Sequence, residues 1–234
     1  MSRTPDLGLV RLALLVVAGR RYWLLPFATL AWLVFRAIVV VVAGDDAPEP
    51  ASAQVSMIGL PLTLLGAFLG IRIIAGEIDG RSLEIAYTVP GGCERVWWAK
   101  LVASMLILIV SEAILATVTW VFFTPFPPGV LYGAMQGAIF YMVLAMGLAA
   151  LFRSEAAGAM GVAAILGLNG LVAGFGENQF RASPFWNPYA LEDADPTELL
   201  AWNLQNHVGI ALAVVALVAL AFMRANRREK MLGA

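Results

Sequence analysis

Six apolar stretches, each about 20 residues long, constrain this chain more than any short motif does. A helix of about 20 predominantly apolar residues is long enough to cross the hydrocarbon core of a bilayer. Only 13% of the 234 residues are charged, against about 25% in an ordinary soluble domain. The sequence therefore predicts one all-α integral membrane domain over residues 1–234, with six transmembrane helices at about 22–43, 55–75, 96–123, 130–152, 157–175 and 207–223.

An apolar stretch at about 7–19 precedes the first predicted span and is too short to cross the membrane beside it. It carries Arg11 and is followed by Arg20 and Arg21. A signal peptide is the competing interpretation, but it requires basic residues before the apolar stretch and small residues after it. We prefer an N-terminal interfacial amphipathic helix that turns at Arg20 and Arg21 into the first span.

Lysine and arginine are distributed unequally between the two sides of the predicted membrane. One side holds Arg181 as its only basic residue, together with eight carboxylates, in the segments 44–54, 124–129 and 176–206. The other side holds Arg3, Arg11, Arg20, Arg21, Arg81, Arg95, Lys100, Arg153, Arg224, Arg227, Arg228 and Lys230. Basic residues are retained in the cytoplasm. Both termini and a loop at 76–95 are therefore predicted to be cytoplasmic, and a loop at 176–206 to lie outside.

Tryptophans agree with these boundaries, because aromatic residues gather at membrane interfaces. The predicted inner boundary has Trp23, Trp97 and Trp98, the outer one has Trp120, Trp186 and Trp202, and only Trp32 falls mid-span. Arg72 and Lys100, near the inner boundary, are expected to extend towards lipid headgroups.

Several function classes lack the residues they require. The chain has no G-x-x-x-x-G-K-[ST] motif, so ATP hydrolysis would need another chain. One cysteine, Cys93, and one histidine, His207, indicate no disulfide and no metal site. A net charge of −1 argues against a nucleic-acid partner. No catalytic set is apparent, and we expect this chain not to be an enzyme.

Two ionisable residues fall inside predicted spans, where they are costly and usually face protein or water. At about 1.5 Å per residue, Arg36 lies roughly 21 Å from Tyr22, and Glu112 lies roughly 24 Å from Val96. These matching depths make Arg36 and Glu112 candidates for an intramembrane ion pair. The alternatives are that the pair only fixes packing, that Arg36 extends outward, or that either residue lines a substrate path.

Two local patterns predict packing and a helix start. Glycines four residues apart allow helices to approach closely, and they occur at Gly66 and Gly70, at Gly129, Gly133 and Gly137, and at Gly170 and Gly174. The run Asp195-Pro196-Thr197-Glu198 has the form of an N-cap, an N1 proline and an acid three residues after the cap. A short helix leading into the sixth span should begin there.

The most informative segment is the predicted cytoplasmic loop at 76–95. If residues 82–88 are helical, Leu83, Ala86 and Tyr87 share one face, and Pro90 with the following glycines ends the helix. Such a helix suits docking onto a soluble partner. A helix resting on the membrane surface and a solvated turn remain equal alternatives.

This segment resembles the signature of ATP-binding-cassette permeases of the ABC-two type, which have the six-span type V exporter fold. That family has an acid, then Gly-Thr-Leu-Glu, a proline and a Gly-Lys pair where the third span begins. The matching residues follow in that order: Glu77, Gly80, Ser82, Leu83, Glu84, Pro90 and Lys100. This chain differs by having Ser82 for threonine, Gly91-Gly92 for a polar-basic pair, and Ala99 before the lysine.

The resemblance implies a permease subunit of an exporter in the cytoplasmic membrane of a bacterium. Two such permeases would form the translocation path, and each would dock an ABC ATPase that holds ATP and Mg. This chain itself would bind no cofactor. The residues expected to couple it to the ATPase are Glu77, Asp79, Gly80, Ser82, Leu83, Glu84, Tyr87 and Pro90.

Two other functions remain open. The six spans could anchor or regulate a membrane complex without transport, in which case no ATPase would accompany the chain. A secondary transporter is the third hypothesis, and it requires an inverted repeat with ion-coupling carboxylates at the midplane. Glu112 is the only candidate for such a carboxylate.

Overall fold

The chain forms a bundle of helices in a computed structural model that describes residues 7–43, 48–80, 92–175, 181–191 and 195–227. Those ranges contain no β-strand, and six of their helices are long and apolar enough to cross a membrane. We call them the first to sixth spans: Tyr22–Val42, Pro50–Asp79, Cys93–Phe122, Gly129–Phe152, Glu155–Val172 and Pro196–Ala225. The prediction of an all-α, multi-pass membrane protein is confirmed. Apolar helices of this kind contact the lipid bilayer.

The first span is built from short helical pieces. A 3₁₀ turn at Tyr22–Leu24 leads into α-helices at Leu25–Ala28 and Leu30–Ala43. The break between the two α-helices falls at Thr29, whose hydroxyl donates to the Pro26 carbonyl at 2.7 Å. Phe35, Ile38 and Val41 are exposed along this span. The rest of the described chain does not cover these large apolar side chains, so they can contact lipid or another membrane helix.

The second span lies at the centre of the bundle and is longer than predicted. It begins with a 3₁₀ turn at Pro50–Ser52, continues as a π-helix at Ala53–Gly59 and becomes an α-helix at Leu60–Asp79. The polar residues Gln54 and Ser56 fall inside the π-helix. The sequence pattern placed the start of this span at residue 55 because apolar character rises only there.

Small residues bring the second span against the fourth, as their spacing predicts. A methyl group on Gly66 would lie 2.7 Å from the Ala138 carbonyl oxygen, and one on Gly70 would collide with the Met142 carbonyl. The two backbones are thus nearly in contact. This crossing is the most extensive helix contact in the bundle.

A helix at Leu7–Ala18 precedes the first span and packs against the third. Val10 and Ala13 are buried with Ala99 and Ala103 of the third span. Its exposed face carries large apolar side chains, Leu12 and Val16 among them, together with Arg11.

The fourth and fifth spans form a tight helical hairpin. Arg153 ends the fourth-span helix in the left-handed conformation, with φ 56°. The helix of the fifth span runs over Glu155–Phe175. A methyl group on Gly158 would lie 2.7 Å from Ala149 Cβ, so the two helices are in contact from their first turns.

The sixth span is a continuous 30-residue helix from Pro196 to Ala225, so the predicted loop at 176–206 ends at Asp195. The helix starts where the sequence predicts. The Asp195 carboxylate accepts hydrogen bonds from the Thr197 amide at 2.7 Å and from the Thr197 hydroxyl at 2.6 Å. These bonds hold the pKa of Asp195 below its usual value.

The two ends of the bundle differ in charge. We call the end that holds Asp79, Cys93, Arg153 and Ala225 the basic end, because most of the Lys and Arg residues that the structure describes lie near it. We call the opposite end, where Pro50, Phe122, Gly129 and Pro196 lie, the acidic end.

Candidate functional site

A buried ion pair joins the second and third spans at the basic end. Lys100 Nζ lies 2.7 Å from Glu77 Oε1. Lys100 is only 1% exposed and Glu77 is 6% exposed. Since these residues flank the segment 80–92, the pair fixes the distance between the two helices that carry that segment.

Two further hydrogen bonds complete the site. Trp97 Nε1 donates to Glu77 Oε2 at 3.1 Å, and Lys100 Nζ donates to the Ile73 carbonyl at 3.0 Å. Both carboxylate oxygens of Glu77 are therefore engaged. Trp97 is fully buried, and its ring also packs against Phe222 of the sixth span with centroids 5.5 Å apart. The site thus brings together side chains from three spans.

This arrangement departs from two sequence-based expectations. Lys100 was expected to reach lipid headgroups and Trp97 to sit in an interfacial belt, whereas both side chains point into the bundle. Depth along a helix places a residue near the interface but does not say which way it faces. The sequence feature that could have predicted the ion pair is a carboxylate at the end of the second span followed by a lysine near the start of the third.

Glu77 was also expected to meet basic side chains of an ATPase. Its carboxylate is instead enclosed by Lys100 and Trp97 of the same chain. Any effect of Glu77 on a partner is therefore indirect, through the position of the segment that follows it.

Asp79 ties the basic end to the fifth span. Its Oδ2 accepts a hydrogen bond from the backbone amide of Glu155 at 3.0 Å. Glu155 is the first residue of the fifth-span helix, so Asp79 satisfies one of the amides that have no partner within that helix. Gly76 lies beside the same residue, since a methyl group there would approach Glu155 Oε1 to 3.1 Å.

The described structure covers only part of the proposed coupling residues. Glu77 and Asp79 belong to the last helical turn of the second span, and Gly80 caps that helix. The third span begins at Cys93, so the predicted loop at 76–95 is reduced to 80–92. Ser82, Leu83, Glu84, Ala86, Tyr87 and Pro90 lie outside the described residues.

Arg36 of the first span and Glu112 of the third span were predicted to form an intramembrane ion pair. Both residues are half-buried. Arg36 Nε and Glu112 Oε1 are buried without a hydrogen-bond partner among the described residues. Their pairing stays a prediction.

At the acidic end, the segment 181–191 packs into the bundle. Gln54 of the second span donates through Nε2 to the Trp186 carbonyl at 2.7 Å. Asn187 Nδ2 donates to the Ala51 carbonyl at 2.6 Å. Ser183, Trp186 and Asn187 are all buried. The segment is thus a structural layer, which the sequence did not predict because its partners lie more than 130 residues away.

The segment 181–191 packs against a row of glycines on the fourth span. A methyl group at Gly129 would collide with Tyr189 and one at Gly133 with the Gln54 amide, and one at Gly137 would lie 3.2 Å from the Phe185 ring. The spacing was interpreted as a helix-packing surface. The glycine spacing does allow close approach, but two of the three contacts are made by the segment 181–191 and not by a helix. Gly170, in the third predicted group, has no neighbour within 4 Å, and the side-chain surroundings of position 174 are not described.

A second polar network links the fourth and sixth spans. Gln136 donates through Nε2 to Asn206 Oδ1 at 2.7 Å, and Asn206 Nδ2 donates to the carbonyls of Arg181 and Ser183 at 2.6 and 2.9 Å. His207 Nδ1 lies 2.6 Å from Gln136 Oε1. His207 therefore belongs to this network.

Within the described ranges, no group of three or more His, Cys, Asp or Glu side chains is placed to hold a metal ion. At the basic end, the polar groups of Glu77, Lys100 and Trp97 are matched to one another.

Comparison with known proteins does not extend this description. No family model matches the chain, and no curated protein and no solved structure shows significant similarity to it.

Proposed function

We propose that this chain is the membrane-spanning permease subunit of an ATP-binding-cassette exporter. It forms half of a translocation path with a second permease chain. It docks a separate ATPase, which binds ATP and Mg, through the segment 80–92. The proposal rests on the ABC-two signature in the sequence, and the geometry of the basic end supports it.

The observation that carries the proposal is the Glu77–Lys100 ion pair. A coupling segment must pass the movement of an ATPase to the transmembrane helices, so both of its ends need firm attachment. Glu77 and Lys100 bind the second span to the third, and Asp79 binds the second to the fifth. A displacement of the segment is thereby shared among three spans. Conformational coupling requires contacts that differ between two states.

The proposal also implies how the bundle is oriented and which membrane contains it. The basic end faces the cytoplasm, because lysine and arginine are retained on that side. The acidic end then faces outward, and the membrane is the cytoplasmic membrane of a bacterium. ATP-driven closure of two ATPases would move the permease pair between inward-open and outward-open states.

The test is a double variant of the coupling segment, Tyr87→Ala with Glu84→Lys. Aromatic residues at an interface centre are frequent hot spots worth roughly 2 kcal/mol or more. We therefore expect the variant to bind its ATPase at least about 30-fold more weakly. Co-purification of the ATPase and substrate-stimulated ATP hydrolysis should be lost, while membrane insertion and permease pairing persist.

A matched control changes the opposite end. Glu198→Lys with Leu200→Ala makes the same charge reversal and truncates a large, exposed side chain at the acidic end. This control should retain the ATPase. Wild-type affinity in the Tyr87 and Glu84 variant would show that the segment is not the coupling element. Recovery of the chain from its native host with other proteins but no ATPase would favour a non-transport anchor.

A further inference from the structure

The helix at Leu7–Ala18, which we call the leading helix, has one face against the bundle and one exposed face. Val10 and Ala13 are buried against the third span. On the exposed face, Leu12 is 60% exposed and Val16 is 58% exposed. Burial of such large aliphatic side chains away from water is favourable, so the exposed face is suited to contact with lipid or with another protein.

The leading helix lies near the boundary between lipid headgroups and acyl chains. The third span is a 30-residue helix, so it is about 45 Å long, against about 30 Å for the hydrocarbon core of a bilayer. Its first turns therefore extend into the headgroup region. The leading helix packs on Ala99 and Ala103, which lie about 9 and 15 Å from the start of the third span. Trp23, just after the leading helix, is exposed, as in the aromatic belt of a membrane interface.

A tight turn after the leading helix presents two adjacent arginines. Gly19 has φ 78°, which glycine adopts without strain. Its amide donates to the Leu15 carbonyl at 3.0 Å, and its carbonyl accepts a hydrogen bond from the Tyr22 amide at 3.2 Å. Arg20 and Arg21 lie between these two bonds, and both are exposed. The turn therefore holds a pair of cations at the end of the apolar face.

The charged residues in this part of the chain all have the same sign. Residues 7–43 contain four arginines and no aspartate or glutamate. Besides Arg20 and Arg21, the exposed face of the leading helix itself carries Arg11, next to Leu12. A group of basic residues at a membrane surface attracts anionic lipid headgroups.

The two parts of this surface match the two parts of a phospholipid. A guanidinium group binds a phosphate through two parallel hydrogen bonds. A zwitterionic phospholipid carries its own cation beside the phosphate, which repels nearby arginines, whereas an anionic phospholipid has no such cation. The apolar face suits the acyl chains. Charge complementarity therefore favours an anionic phospholipid over a second membrane helix as the molecule that covers this face.

We infer that the leading helix and the turn that follows it bind anionic phospholipid. The acyl chains lie against Leu12, Leu15 and Val16, and Arg20 and Arg21 hold the headgroup phosphate. Neither an ATPase nor a particular orientation of the bundle is needed for this binding, so it does not rest on the proposed function.

The test places a fluorescent reporter on the apolar face. Bimane is attached at Val16→Cys in a Cys93→Ser chain, which is reconstituted in phosphatidylcholine nanodiscs. Phosphatidylglycerol or phosphatidylcholine with a nitroxide on one acyl chain is then titrated in, because a nitroxide quenches bimane only at short range. We expect half-maximal quenching at an about fivefold lower mole fraction of phosphatidylglycerol than of phosphatidylcholine. This preference should weaken as salt is added.

Two variants locate the headgroup. Arg20→Gln with Arg21→Gln removes both cations and should reduce the preference from about fivefold to about onefold. Arg20→Lys with Arg21→Lys keeps both charges and should retain most of the preference, with some loss because lysine cannot bind a phosphate through a planar fork.

Two controls separate a local site from overall charge. Arg227→Gln with Arg228→Gln removes the other adjacent arginine pair of the sequence and should leave the preference at position 16 unchanged. A reporter at Leu168→Cys, an exposed position on the fifth span, should be quenched equally by both lipids.

Equal quenching by the two lipids at position 16 would overturn the assignment, as would an unchanged preference in the Arg20→Gln and Arg21→Gln variant. Equal loss of preference in the Arg227→Gln and Arg228→Gln variant would also overturn it. A reporter that neither lipid quenches would show that protein covers the face. Circular dichroism identifies a variant that fails to fold, and the lipid preference and salt titration of the Val16→Cys chain need no arginine variant. Because no ATPase is present in this assay, its failure is distinct from failure of ATPase docking.

Discussion

At the scale of single residues, the most consequential contact is the one between Glu77 and Lys100. A buried lysine and a buried carboxylate are each costly alone, and they are tolerated together only when their remaining hydrogen-bonding capacity is also satisfied. Trp97 and the Ile73 carbonyl supply those further bonds. The pair is therefore a point at which the second and third spans cannot separate without leaving two buried charges unmatched.

This predicts a strong interaction in a double-mutant cycle. Lys100→Met should destabilise the chain by about 3–5 kcal/mol, because the Glu77 carboxylate is left buried without its cation. Adding Glu77→Gln should recover most of that loss, since Trp97 can still donate to the amide oxygen. Reversible unfolding in mixed micelles measures the unfolding free energy of the single and the double variant. Arg20→Met, at an exposed position, is the control. Additive losses from the two changes would contradict the pairing.

The predicted Arg36–Glu112 pair is tested in the same way. If the two charges interact, Glu112→Gln alone leaves a buried cation and should cost a few kcal/mol of unfolding free energy. Removal of both charges, as Arg36→Met with Glu112→Gln, should restore part of it. A cycle without coupling would reject the pair and would leave Arg36 to extend outward or face a pore.

At the scale of helices, the crossing of the second and fourth spans depends on glycine. Gly70→Ala places a methyl group against the Met142 backbone, which cannot move as a side chain can. We expect a loss of about 1–3 kcal/mol in unfolding free energy. Gly147→Ala is the matched control, because a methyl group there meets nothing within 4 Å and alanine favours helix more than glycine does. Equal stability of the two variants would show that the helices are not held this closely.

Hydropathy was sufficient to predict the number and type of these helices but not their contacts. The cap at Asp195 was predictable because it depends on neighbouring residues. The π-helix at Ala53–Gly59 was not, since Gln54 is polar and its partner, the Trp186 carbonyl, is distant in sequence. Glycine spacing indicated close approach on the fourth span, but it does not distinguish a helix from a loop as the neighbour. Burial of Lys100 depends on direction around the helix, which a nearly uniform apolar sequence does not reveal.

At the scale of the whole molecule, the two ends of the bundle are built differently. At the basic end, matched charges and a helix cap connect three spans around the segment 80–92. At the acidic end, the side-chain amides of Gln54 and Asn206 donate to carbonyls of the segment 181–191, and Gln136 donates to Asn206. The second span carries Glu77 at one end and Gln54 at the other, so it is the element best placed to connect a movement at the basic end with the segment 181–191.

The orientation of the bundle is open to a direct labelling test. Cys93, the single native thiol, is a poor reporter because it is buried and lies 3.2 Å from Asn226 Oδ1. We therefore place exposed thiols in a Cys93→Ser background, with Arg227→Cys at the basic end and Glu198→Cys at the acidic end. A membrane-impermeant maleimide should label position 198 in spheroplasts and position 227 only in inverted vesicles.

The expected pattern follows from the distribution of charge, since the segments predicted to be cytoplasmic hold twelve basic residues and those predicted to lie outside hold one. The Cys93→Ser parent should remain unlabelled in both preparations, which controls for leakage and for other proteins. Labelling of position 227 in spheroplasts would reverse every span at once. It would place the segment 80–92 outside the cell, where no ATP is available, and an ATPase could not dock there.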